Sequence, residues 1–133
     1  MELMQVNVIT VAVVAVVNFA LGWLWWSPWL FGRVWCETEG RNMEECEMTP
    51  FHWIGGLLVS FFTAFVVAYL INALGIVTPN AAIKLAAILW FGFFATTKFS
   101  DVLWNNKPLK TFAIDAGWSL VSLLFMALVF SQL

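Results

Sequence analysis

Four long apolar runs separated by short polar breaks set the pattern of this chain. The first extends from Val6 to Trp26, and its polar interruptions are Asn7, Thr10 and Asn18. At about 1.5 Å rise per residue, a helix of that length crosses the roughly 30 Å hydrocarbon core of a bilayer. Its Val-rich first half is a mediocre helix former in water, but in lipid the backbone must satisfy its own hydrogen bonds, so a helix is predicted all the same. A polar stretch over residues 36–50 follows. A second span is predicted over 51–74, with Pro50 suited to a first helical turn. The segment 75–80, containing Gly75 and Pro79, reads as a turn before a third span over 81–101. A compact turn at 104–108 leads to a fourth span over 109–130. Short connections make sequential helices neighbours, so the fold class expected is all-α: a single integral membrane domain built as a four-helix antiparallel bundle.

Small residues recur at helical spacing within these runs. Asn18, Gly22 and Trp26 share one face of the first span, where Gly allows close approach and Asn either bonds across helices or ties to its own backbone. Gly56, Ser60 and Ala64 do the same on the second span, and Ala82, Ala86 and Ala95 are packing positions on the third.

The first span ends in a tryptophan cluster. Trp23, Trp25, Trp26, Trp29 and Trp35 are five of the nine tryptophans in the chain. Pro28 disfavours helix at Ser27 and lacks a backbone donor, and Gly32 offers a second bend. Trp26, Ser27, Pro28, Phe31, Gly32 and Trp35 therefore read as a hinge along the membrane interface, where indole rings find both apolar and polar surroundings. A cage of these rings around a cation is the sharper alternative.

Composition strengthens the membrane reading. The 133 residues are 62% hydrophobic and 11% charged, with a mean hydropathy of +0.89, too little polar surface for a soluble domain. A net charge of −2 provides no basic footprint for nucleic acid. The first span has no basic flank, ends in tryptophans and offers no small-residue cleavage site, so it reads as a retained span and not as a signal peptide.

Charge also bears on orientation. Arg33, Arg41, Lys98, Lys107 and Lys110 fall on the side of the first and third connections, and Lys84 on the other. The positive-inside rule then places the acidic loop in the cytoplasm and the termini outside, with the chain crossing the inner (plasma) membrane several times. The state of Cys36 and Cys46 depends on that side: reduced in a cytosol, open to a disulfide in an oxidising compartment. Their spacing matches no compact zinc pattern, and no metal or other cofactor is expected.

Charges within spans cost about 2.5–3.5 kcal/mol each at mid-membrane, so they call for an explanation. If the third and fourth spans form a hairpin, Lys98 and Asp115 lie at similar depth on opposite arms. Asp101 lies three residues from Lys98, His52 opens the second span at the same membrane end, and Arg33 approaches from the hinge. Arg33, His52, Lys98, Asp101 and Asp115 thus form a candidate polar cluster. In one reading Lys98 and Asp115 are an ion pair that locks the hairpin. In the other the cluster lines a cavity for a small solute, a lipid headgroup or a proton, with Asp115 titrating, His52 relaying, and Ser119 and Ser122 continuing a polar face. A single histidine, with no catalytic set and no phosphate-binding glycine loop, points away from an enzyme.

Trp26-Ser27-Pro28, Leu30-Phe31-Gly32 and Trp35, followed far along the chain by Ile114-Asp115-Ala116-Gly117-Trp118, resemble the signature of a bacterial family of small integral membrane proteins, catalogued as domain of unknown function seventeen-sixty-one. The resemblance covers nearly the whole chain and implies a four-span membrane protein without an assigned activity. Trp25-Trp26 and Trp118 stand where Tyr is frequent in that pattern. Two functions are therefore expected to compete. One is a structural or accessory component, self-associated or docked on a larger membrane complex, with lipid as its other partner. The other is a small-solute or proton-coupled transporter or binder using Asp115 and Lys98. A wet cavity reaching Asp115 favours the second, and a dry, direct pair favours the first.

Overall fold

A computed structural model describes residues 6–27, 29–40 and 49–133. Its elements are α1 (Val8–Trp25), α2 (Gly32–Thr38), α3 (Pro50–Ala73), α4 (Pro79–Leu89), a π-helical segment (Trp90–Ala95), α5 (Thr96–Trp104) and α6 (Leu109–Gln132). No strand occurs among the described residues. Four stretches are long and apolar enough to cross a membrane: Val8–Trp25, Pro50–Ala73, Pro79–Trp104 and Leu109–Gln132. They match the expected spans to within a few residues, and the third is longer at both ends because helix runs unbroken from Pro79 through the π segment to Trp104. The bend expected at Pro28, together with Arg41 and Cys46, lies outside the described residues.

The helix starts are chemically marked. Asn7 Oδ1 accepts the Ile9 and Thr10 backbone N–H groups at 3.0 and 3.2 Å, capping α1. Thr49 and His52 form a capping box on α3, with Pro50 in its first turn. Gly75, at φ 65°, closes α3 with a left-handed residue.

Helix α6 is the centre of the packing, touching α1, α2, α3, α4, the π segment and α5. Helix α1 lies against α3 as well, so α1, α3 and α6 form a three-way contact. Consecutive α3 and α4 barely touch, a departure from the expectation that every neighbour in sequence is a neighbour in space. The reason lies in the small residues of α4: Ala82 and Ala86 are its buried positions, and they join the core against α6. The third span is therefore attached along one side, and only 11% of its most apolar stretch is buried, against 33% for α6.

The contacts are made by small and medium side chains, chiefly Val11, Ala15, Ala64, Ala68, Ala86, Leu123, Met126 and Ala127. Lipid is as apolar as leucine, so close van der Waals packing and interhelical hydrogen bonds take over from hydrophobic drive. Large apolar side chains point outward instead, among them Ile9, Val13 and Val16 on α1, Val59 and Phe62 on α3, and Ile88, Phe91 and Phe93 on the third span.

One polar network crosses this core. Asn18 Nδ2 donates to Ser60 Oγ at 3.1 Å, Ser60 Oγ donates to the Ala15 carbonyl at 2.7 Å, and Ser122 Oγ donates to Asn18 Oδ1 at 2.8 Å. All three side chains are buried, so Asn18 bonds across helices and ties α1, α3 and α6 together.

Candidate functional site

The stretch after α1 folds back on itself. Trp26 and Ser27 end the helix, and the chain is fastened by Phe31 N–H to the Trp25 carbonyl and Gly32 N–H to the Ser27 carbonyl, both at 3.0 Å. A side chain at Gly32 would meet the Trp26 carbonyl oxygen at 1.9 Å, so this reversal needs glycine at that position. The five tryptophans divide. Trp23 and Trp29 are exposed and meet edge-on at 6.4 Å between ring centroids. Trp26 packs edge-on against Trp35 at 5.3 Å. Trp25 turns inward to Phe31 and Trp118, at 4.5 and 6.1 Å.

That inward turn joins two distant parts of the sequence. The Trp25 ring lies on Gly117 and the Trp118 ring lies on Gly22, where a Cβ would approach the rings to 3.2 and 3.0 Å. Each helix thus seats the indole of the other on a glycine. Alongside, Trp90 Nε1 donates to the Ala116 carbonyl at 2.8 Å, bringing the third span to the same level of α6. Ile114-Asp115-Ala116-Gly117-Trp118 becomes intelligible residue by residue: Ile114 and Ala116 are buried, the Ala116 carbonyl holds Trp90, Gly117 and Trp118 interlock with α1, and Asp115 is left facing elsewhere.

What Asp115 faces is a cleft of about 200 Å³ at this end of the molecule. Its walls are three short stripes at helical spacing: Trp35 and Glu39 from α2 and its end, Lys98, Asp101 and Val102 from α5, and Lys107, Thr111, Phe112 and Asp115 from the α5–α6 turn and α6. Glu39 closes one side, accepting from Lys107 Nζ at 2.9 Å and from Thr111 Oγ1 at 3.2 Å. The turn beneath is built on Asp101, whose backbone carbonyl accepts from the Asn105 and Lys107 N–H groups and whose Oδ1 accepts from Asn105 Nδ2 at 2.9 Å. Asn106 takes φ 55° to reverse the chain there.

Lys98 and Asp115 share the cleft but form no ion pair; among the described residues the ion pair is Lys107–Glu39. Lys98 attracts the Asp115 carboxylate across the space, and Glu39 and Asp101 repel it. The Trp35 indole N–H lies beside Asp115, buried and outside ordinary hydrogen-bond geometry. No group of three or more His, Cys, Asp or Glu side chains among the described residues is placed to hold a metal ion.

Of the candidate cluster, Lys98, Asp101 and Asp115 are brought together. His52 is not: its Nδ1 lies 3.1 Å from the Thr49 backbone N and 2.8 Å from Thr49 Oγ1, and it serves the start of α3. Arg33 is exposed on α2 and does not line the cleft. Glu39, Lys107 and Thr111 do line it and were not singled out from sequence. The signal for two of them was present, because Lys107, Thr111 and Asp115 recur at spacing four. Glu39 carried none, since its place depends on how α2 folds back.

The cleft is closed toward the core. Ser119 Oγ donates to the Asp115 carbonyl at 3.1 Å, and Ser122 is bound to Asn18. The expected polar face of Asp115, Ser119 and Ser122 is therefore divided, with Ser119 bonded within α6 and Ser122 bonded across to α1. At the outer wall, Cys36 on α2 is fully buried and disulfide-bonded. The other cysteine, Cys46, lies outside the described residues.

A family model described as "Protein of unknown function (DUF1761)" matches residues 9–131. No curated protein and no solved structure matches the chain.

Proposed function

The chain belongs to the DUF1761 family, and from that premise we propose that it is a non-enzymatic accessory membrane protein that receives a small polar group in a one-ended cleft. The observation that carries this reading is the cavity between Lys98 and Asp115, where a purely structural role would put a direct pair. A carboxylate held in a span without a partner cation is costly unless something else meets it. The closed core behind the cleft argues for binding without passage.

In this reading the four spans form an antiparallel bundle in the inner membrane, with lipid around it, and Trp26 to Trp35 act as an interfacial hinge that roofs the cleft. The disulfide at Cys36 supports an oxidising compartment on the cleft side, against the count of lysines and arginines. Association with a second copy or a larger membrane complex is a second reading, favoured by the one-sided attachment of the third span.

Native mass spectrometry of the protein released from nanodiscs, paired with flux measurements in proteoliposomes, tests both. The expected result is a retained small molecule or lipid that is lost in Asp115→Asn, with no solute flux. Flux dependent on Asp115 overturns the one-ended reading. An empty protein that appears only in oligomers or bound to another subunit favours the second.

A further inference from the structure

We propose that the group received by the cleft is an ammonium, carried either by a lipid headgroup or by a free amine; this rests on the cleft being a binding site. The charge inventory is the first ground. Among the described residues two lysines and three carboxylates line the space, and Lys107 is paired with Glu39 at 2.9 Å. Within that set Lys98 stands against Asp101 and Asp115, one carboxylate in excess, and neither carboxylate forms an ion pair with a described residue. Asp101 already accepts from Asn105 Nδ2, whereas the Asp115 carboxylate accepts no bond of ordinary geometry among the described residues. Acceptor capacity in the cleft is therefore in surplus and centred on Asp115.

The walls are the second ground. Trp35 and Phe112 flank the carboxylates, and aromatic rings attract cations through their quadrupoles, most strongly where water is scarce. An anion would meet the opposite arrangement, because one of the two lysines is engaged by Glu39 and the other is outnumbered. Access fits a small group as well: about 200 Å³ admits an alkylammonium headgroup, while the acyl chains or the rest of a larger amine would stay outside.

The test uses the full chain in dodecyl maltoside at pH 8, free of ammonium lipids, with ethanolamine and glycerol phosphate titrated separately by calorimetry. Saturable binding of ethanolamine is expected, weakened tenfold or more by Asp115→Asn. Lys98→Met removes the competing cation and is expected to tighten ethanolamine severalfold; an anion site would respond the other way. Asp101→Asn replaces Asp115→Asn if the latter shows no cooperative melting transition. Glycerol phosphate binding without ethanolamine binding overturns the ammonium proposal and leaves the cleft standing as a site. Binding of neither overturns both, and ethanolamine binding unaffected by either carboxylate variant overturns the proposal. Reconstitution in mixed phosphatidylethanolamine and phosphatidylglycerol then separates the sources. Retained phosphatidylethanolamine identifies a lipid headgroup, and its absence alongside ethanolamine binding identifies a free amine.

Discussion

At Gly32 the backbone itself occupies the space a side chain would need, with the Trp26 carbonyl oxygen 1.9 Å from an ideal Cβ. Relief requires the reversal after α1 to open, and that would displace Trp35 and Glu39 from the cleft. Gly32→Ala is accordingly expected to cost at least the upper part of the roughly 1–3 kcal/mol typical of overpacking, read as a lowered melting temperature in detergent. Gly55→Ala, at a glycine of α3 with nothing within 4 Å of its Cβ position, is expected to leave that temperature unchanged. Equal effects would show that the tight approach at Gly32 carries no stability. The same scale shows why single residues were unevenly legible. Gly32 and Asp115 stand out in sequence because a glycine four residues after a proline in a tryptophan-rich stretch and a carboxylate in an apolar run are anomalies. His52 stands out too, but a histidine three residues after Thr49 completes a capping box as readily as it joins a polar cluster. The sequence alone does not separate those outcomes.

Between elements, the three-way junction of α1, α3 and α6 rests on the bonds linking Asn18, Ser60, Ser122 and the Ala15 carbonyl. Interhelical hydrogen bonds in membranes average about 0.6 kcal/mol in double-mutant cycles and reach about 1.7. Because Ser60 both accepts from Asn18 and donates to Ala15, Asn18→Ala and Ser60→Ala are expected to be non-additive, with a coupling near the top of that range. Strict additivity in a two-by-two melting series would show that the network is a bystander. Small-residue spacing made the faces of α1 and α3 readable, since Asn18, Gly22, Ser60 and Ala64 are all buried. The π segment at Trp90–Ala95 was not readable. Thr96 and Thr97, just past it, donate their hydroxyls to the Gly92 and Phe93 carbonyls within it, and such bonds are as common in an ordinary α-helix, so Thr-Thr in an apolar run signals no widening. Trp90, which opens the segment, reaches the Ala116 carbonyl across on α6.

For the molecule as a whole, hydropathy made the four spans plain, because span length and apolarity are properties of a segment by itself. Orientation is a property of the compartments on either side, and here the two chemical cues oppose each other. Arg33, Lys98, Lys107 and Lys110 draw the cleft end inward by the positive-inside rule, while the disulfide at Cys36 needs an oxidising side. Two of those cations have local reasons to be where they are: Lys107 is bound to Glu39 and Lys98 faces Asp101 and Asp115. A disulfide-bonded Cys36 is silent to maleimide, so a single introduced thiol, read against the unmodified chain as background, reports its own side. Leu109→Cys marks the cleft end, at an exposed position opening α6, and Val77→Cys marks the opposite end, where the Val77 carbonyl accepts from Gln132. With a membrane-impermeant maleimide on intact cells, labelling is expected at 109 and is expected at 77 only after permeabilisation. The reverse pattern would put the cleft in the cytoplasm, where a stable disulfide would not persist and any ammonium ligand would have to come from the inner leaflet or the cytosol.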